Sequence, residues 1–371
     1  MELRLTRVAF PVAAAILLFG CGKEEPKPQA QAPAPVAAPA PPPKPEITVK
    51  IGHAAPLTGP QGHLGKDNEN GAKLAIDEVN AKGIEIGGAK VTFELLSEDD
   101  QAAPKQGTLV AQKFIDAKVN GVIGHLNSGT TIPASKIYFD AGIPQISGSA
   151  TNPKYTDQGF KTAFRVMAND VQQGKILGTF ATEKLGAKTI AIIDDRTAYG
   201  QGLADEFEKA VNSAGGKIVA REFTTDKATD FSAILTKIKG KKPDLVFYSG
   251  MDAQAGPMAK QKKALGVKGK FLTGDGGCTP EFVKLAGKAA DENNYCSLPG
   301  VPLAQMPGGP SFIEKYKSTY NAEIQLYAPY AYDAVMVVAD AMKRADSVEP
   351  AKYLPAVGKT SYDGVTALIE F

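Results

Sequence analysis

The sequence predicts an α/β protein built as two lobes of similar design, and three observations carry that prediction. From Ile47 onward, short β-branched runs alternate with amphipathic helical stretches, the pattern that gives parallel sheets covered by helices. The alternation ends and restarts near Asp170. Several strand-like runs lead straight into small, hydroxyl-rich segments, as in "IPQISGSAT" (143–151) and "GHLNSGTT" (124–131), which deliver bare backbone and hydroxyls to a sheet edge.

The first lobe opens on the strand "ITVKIGHAA". In "NGAKLAIDEVNAKG", Ala72, Ala75, Ile76 and Val79 fall at i, i+3, i+4 and i+7 and predict a helix. A strand at "KVTFELLSEDD", a helix over about 104–117, a strand at "VNGVIGHL", a helix after Thr131 and the strand "IPQIS" come next. The second series runs through the helix "VQQGKILGTFATEKLG", the strand "TIAIIDD", the helix "GQGLADEFEKAVNSAGG" and the strand "KIVAREF". It continues with "FSAILTKIKG" (helix), "PDLVFYSG" (strand), a helix near 254–265 and the strand "FLTGDGG". After Pro299 the chain is mainly helical, ends on the strand "ALIEF", and is expected to return to the first lobe. The expected domains are therefore 47–168 (first lobe), 169–298 (second lobe) and 299–371 (the return).

The N-terminus reads as targeting. Arg4 and Arg7 precede an apolar run, Val8 to Gly20, that is too short to span a bilayer as a mature helix, so residues 1–20 are expected to be a signal peptide. The next stretch, "LLFGCG", resembles a bacterial lipobox, in which Cys21 would carry the lipid. Residues 21–46 would then be the lipidated cysteine and a Pro/Ala-rich tether, since that composition cannot bury a core. The folded part is expected in the periplasm, held at a membrane. In that oxidising compartment Cys278 and Cys296, outside any C-x-x-C motif, are expected to form a disulfide.

Composition narrows the function. The 42 basic and 40 acidic residues of the 371 are spread along the chain, so no basic stripe for nucleic acid is present. A hydrolase needs a nucleophile beside a base; no serine sits in a G-x-S-x-G elbow, and the only histidines are His53, His63 and His125. They show no zinc-ligand spacing such as H-x-x-x-H, and no metal is expected. "GPQGHLG" matches neither the dinucleotide fingerprint nor a P-loop, so no cofactor is expected. Glu98–Asp100 and Asp194–Asp195 sit at strand ends, where helix caps and ligand carboxylates are equal readings. In open α/β sheets, ligands bind beyond the carboxyl ends of the strands, where small residues admit the backbone and helix N-termini favour an anion. A polar cleft without catalytic machinery suggests capture of a small molecule.

Four strings, "NGAKLAIDEVNAKGIEIGGAKVTFELLSEDDQAAPKQG", "GVIGHLNSGTTIPASKIYFDAGIPQIS", "AYGQGLADEFEKAV" and "YAPYAYDAVMVVADAM", resemble the branched-chain amino acid ABC-transporter substrate-binding proteins, the leucine/isoleucine/valine-binding protein family. The resemblance runs from about residue 47 to the C-terminus. It implies a type I periplasmic binding fold, two Rossmann-like lobes that close on an amino acid and hand it to an inner-membrane permease without catalysis. By position, Ser128 resembles the family serine on the ligand carboxylate, and Ser149, Ala150 and Thr151 resemble the segment that holds carboxylate and ammonium. Tyr199 resembles the tyrosine that reaches across the cleft, and Asp275 sits where an acidic residue pairs with the ammonium. Leu64 and Met251 stand where some members have aromatic residues, while Tyr327 keeps an aromatic wall. The flexible replacements keep the pocket apolar but reshape it. Family chains usually continue past the strand that ends here at Phe371 and cross back to the second lobe. A monomer is expected, and a ligand-sensing receptor of the same fold, binding an amino acid or amide, is the alternative reading.

Overall fold

A computed structural model describes Gly22 and residues 44–371. The signal peptide, Cys21 and most of the tether lie outside the described residues.

The first half is β1 (Glu46–Ala55), α1 (Gly62–Ala81), β2 (Glu85–Ile86), β3 (Ala89–Asp99), α2 (Pro104–Asp116), β4 (Gly121–Gly124), α3 (Ser128–Asp140), β5 (Gln145–Ser147), α4 (Lys154–Asp157) and β6 (Ala163–Arg165). Its six-stranded sheet has the order β2-β3-β1-β4-β5-β6 and is parallel except for the β2–β3 hairpin. The chain winds outward in both directions from β1 and β4, which makes the gap beyond their carboxyl ends a topological switch point.

The second half is α5 (Asp170–Thr179), β7 (Thr189–Asp194), α6 (Ala198–Ser213), β8 (Lys217–Phe223), α7 (Ser232–Lys241), β9 (Leu245–Ser249), α8 (Asp252–Ala264), β10 (Lys270–Thr273), α9 (Pro280–Ala286) and β11 (Asn294–Cys296). Its sheet, β11-β10-β9-β7-β8, is wholly parallel, with the reversal between β7 and β9. Every residue of β9, "LVFYS", is buried, as expected of a central parallel strand covered on both faces.

Three helices close the chain: α10 (Gly309–Tyr320), α11 (Ala328–Arg344) and α12 (Pro350–Val357). Helix α11 packs on α1 and joins the core of the first sheet through Val335, Val337, Val338 and Met342. It is apolar almost all round, which is why it lies inside rather than on the surface. Each of its valines contributes about 1.5–3 kcal/mol by burial. The final strand, β13 (Leu368–Glu370), pairs antiparallel with β12 (Ser361–Asp363) in a separate hairpin and does not extend the first sheet. Among the described residues, no helix is long and apolar enough to cross a membrane.

Candidate functional site

The carboxyl ends of β1, β4 and β5 lie side by side, with Ala54 opposite Gly124 and Ile123 opposite Ile146. The segments leaving these three strands therefore meet at one edge. Gly124 has φ +120°, and a Cβ there would come within 2.5 Å of the Ala54 carbonyl oxygen, so only glycine lets β4 leave the sheet this close to β1. A Cβ on Gly148 would lie 2.9 Å from the Tyr330 backbone, so the missing side chain after β5 admits α11.

Ser128 opens α3, whose cap residue Asn127 makes no side-chain capping bond. The Ser128 hydroxyl accepts the Asn152 N–H at 3.2 Å, which ties the α3 terminus to the loop after β5. In that loop Ser149 Oγ and Thr151 Oγ1 are buried without a hydrogen-bond partner. Ala150 differs, because its N–H already donates to Ser147 Oγ at 3.0 Å and its carbonyl accepts from Arg165 Nε at 2.6 Å. Arg165 also donates to the Asn152 carbonyl at 2.7 Å, so this guanidinium shapes the loop from behind.

The second sheet supplies the facing wall. Tyr199 lies in the first turn of α6 and Met251 caps α8 after β9, while Asp275 comes after β10 in a short 3-10 turn. Asp275 is fully buried and accepts hydroxyl hydrogen bonds from Tyr199 and Tyr327, both at 2.8 Å, one on each carboxylate oxygen. Burial pushes its carboxyl pKa up, and the tyrosine hydroxyls offset part of that rise. Asp275 does not cap α9; Thr279 does, by accepting the Phe282 N–H. Tyr327 immediately precedes α11, which packs with the first sheet, so the pair of tyrosines joins the two halves through one carboxylate. Leu64, Leu126, Tyr199, Met251 and Tyr327 share one apolar cluster that spans both halves. All nine residues expected to touch a ligand are buried.

Two polar groups escaped the sequence reading. Asp170 begins α5, and both of its carboxylate oxygens are buried without a hydrogen-bond partner. Burial pushes its pKa up to about 8; the Thr151 hydroxyl and the Arg165 charge oppose that rise, and the Asp275 charge adds to it. The Asp170 N–H donates to the Thr151 carbonyl at 2.9 Å, which sets the start of α5 against the hydroxyl loop. Gln173, one turn on, accepts the Asp275 N–H at 3.4 Å and leaves its own amide nitrogen unpartnered. In "NDVQQG" the sequence offers only helix-start chemistry, and burial of Asp170 depends on the halves meeting.

Three of the acidic residues at strand ends, Asp100, Asp194 and Asp195, are buried rather than solvated. Asp100 is fully enclosed against His125 at 2.8 Å, and Asp195 is buried while accepting from Thr197. His53 bonds Ser97 and Asn68, His125 bonds Asp100 and Tyr138, and His63 bonds Asp252, so the histidines serve separate places. Among the described residues, no cluster of three or more such side chains could hold a metal ion. Cys278 and Cys296 form a disulfide with Cα atoms 5.4 Å apart.

The family described as periplasmic binding protein matches residues 48–371. The chain belongs to the periplasmic binding protein family. It is 38% identical over 309 residues to the Leu/Ile/Val-binding protein homolog 1 of Brucella suis, which covers 83% of this chain and 82% of that relative. The leucine-, isoleucine-, valine-, threonine-, and alanine-binding protein of Pseudomonas aeruginosa is 33% identical over 87% of this chain and 86% of its own length. Among solved structures, the branched-chain amino acid transporter substrate binding protein LivJ of Streptococcus pneumoniae, in complex with isoleucine, superposes with a TM-score of 0.79 at 31% identity, over 88% of this chain and 92% of that one. The architecture is the type I periplasmic binding fold, and this periplasmic binding protein is a binder, not an enzyme.

Proposed function

We propose that this periplasmic binding protein is the substrate-binding component of an ABC importer and that its cleft takes a branched-chain or similar apolar α-amino acid. The observation that carries the reading is the polarity of the buried cleft. Hydroxyls of Ser128, Ser149 and Thr151 suit a carboxylate, while the buried carboxylates of Asp275 and Asp170 suit an ammonium. Leu64, Met251 and Tyr327 offer apolar walls for an aliphatic side chain. The buried Asp170 carboxylate, with no hydrogen-bond partner, is costly alone and is relieved by a cation, which an α-amino acid supplies. The named relatives from Brucella and Pseudomonas, and the isoleucine-bound neighbour, support the same ligand class.

Calorimetric titration with leucine, isoleucine, valine, threonine and 4-methylpentanoate tests this. Stoichiometric binding of at least one amino acid and weak binding of the deaminated acid are expected. No binding across the panel, or equal binding of 4-methylpentanoate and leucine, would overturn the assignment. At the N-terminus, Cys21 carries a lipid and tethers a monomer near its permease. Mass spectrometry of the mature protein should find a diacylglyceryl cysteine at that position, and an unmodified N-terminus elsewhere would refute it.

A further inference from the structure

One polar contact between the halves lies outside the head-group site. His63 Nε2 on α1 meets Asp252 Oδ2 on α8 at 2.7 Å, across 189 residues of chain. Asp252 is fully buried and also accepts from the Thr279 hydroxyl at 2.5 Å, while its second oxygen has no partner. The placement matters because of the neighbours in sequence. His63 immediately precedes Leu64, and Asp252 immediately succeeds Met251, the two apolar residues that stand in for aromatic ones in the pocket wall. Flexible aliphatic side chains hold a wall less firmly than rings do, and the His63–Asp252 contact is a polar tie directly beside both.

Resting on the amino-acid reading above, we propose that His63 and Asp252 form a proton-operated latch that holds the lobes closed and sets Leu64 against Met251. These are positioning residues, since neither need touch the ligand. The charged groups that face His63 are Asp252 at the start of α8, Glu281 on α9 and Asp67 one turn along α1. All are acidic. Burial pushes the imidazole pKa down, but the Asp252 hydrogen bond and these three charges outweigh it, so the pKa in the closed form is raised. When the lobes part, His63 loses Asp252 and returns toward its ordinary value near 6.5. The closed form therefore binds the proton more tightly. By linkage, the latch is fully engaged below the open-form pKa and is lost as pH rises through the closed-form pKa. Capture is tighter in mildly acidic medium, and release is favoured as pH rises.

The test is isoleucine affinity from about pH 5.5 to about pH 8 for the parent, His63→Gln and Asp252→Asn, a range chosen because it brackets histidine titration. Asp170 titrates in the same range, but it is present in all three proteins and drops out of their differences. The parent should bind more tightly at the acid end than either variant's own pH profile accounts for, because only the parent gains the proton on closing. His63→Gln keeps a neutral donor and should lose the pH-dependent part while retaining most affinity near pH 8. Superimposable profiles for parent and variants would overturn the latch. Small-angle scattering of the ligand-free proteins at the two pH extremes gives a second readout. The parent should be more compact at low pH than His63→Gln, and equal compaction would refute the latch even if no amino acid in the panel bound. Failure of the panel alone counts against the ligand assignment and not against the latch.

Discussion

Asp67 on α1 accepts the backbone N–H of Tyr327 at 2.8 Å, and its two oxygens also take the N–H groups of Gln325, Leu326 and Ala328 and the Tyr316 hydroxyl. One buried carboxylate thus fastens the segment that leads into α11, and with it the tyrosine that crosses to Asp275. Leu64 lies one turn earlier on the same helix, so Asp67 fixes the relation between two pocket walls.

Asp67→Asn turns an N–H toward backbone donors in place of an acceptor. Leaving buried donors unpaired should destabilise the protein by about 2–4 kcal/mol. Isoleucine should also bind more weakly. If part of that loss passes through the Tyr327 hydroxyl, Asp67→Asn should cost less affinity in a Tyr327→Phe background than in the parent, as a double-mutant cycle would show. Full additivity would show that Asp67 does not act on the ligand through the Tyr327 hydroxyl.

The second prediction concerns Asp275. Asp275→Asn keeps the shape and the reach to Tyr199 and Tyr327 but removes the charge that an ammonium would meet. Breaking a buried charge pair costs roughly 2–5 kcal/mol, which is about one and a half to three and a half orders of magnitude in affinity. A deaminated ligand should lose much less. Equal losses for the two ligands, with the fold intact, would remove Asp275 from the site.

The long elements were readable because their periodicity is local. "TIAIID" and "LVFYS" are continuous apolar strands, and Ala72, Ala75, Ile76 and Val79 mark the buried stripe of α1. Strands of two or three residues, Glu85–Ile86, Ala163–Arg165 and Asn294–Cys296, have no period to read; the neighbouring strand defines them. The polar run Asp67, Asn68, Glu69 and Asn70 looks solvent-facing in sequence, yet all four are buried because the segment before α11 and the core return onto them. Asp170 was hidden for the same reason. A hydroxyl loop declares itself by composition, whereas a carboxylate that matters only when two lobes meet does not.

The third prediction is the role of the disulfide. Cys278 comes directly after the turn that carries Asp275, and Cys296 ends β11, so the bond ties that turn to the sheet edge. A loop of 18 residues gains about 3 kcal/mol in the chain-entropy model. Cys278→Ser with Cys296→Ser should lower the unfolding free energy by that order and bring down the denaturation midpoint. A midpoint unchanged from the oxidised parent would show that the turn is held by its other contacts.

The last prediction separates ligand-free closure from capture. In the closed arrangement burial lifts the Asp170 pKa to about 8, whereas a carboxyl exposed to water in an open cleft titrates near 3.8. A group with a raised pKa favours the closed form when protonated, so this contribution is present below the open-form value and disappears as pH rises through about 8. At neutral pH, closing an empty cleft therefore means burying an ionised Asp170 without a donor or taking up a proton. Either way closure is penalised. A ligand ammonium removes the penalty, because an opposite charge nearby restores the ionised form. Asp170→Asn should lift the penalty without a ligand, and small-angle scattering should then find the ligand-free variant more compact than the parent near neutral pH. The same variant should bind isoleucine more weakly, since the amide cannot pair with the ammonium. A variant as open as the parent and equal to it in affinity would show that Asp170 is only the first residue of a helix.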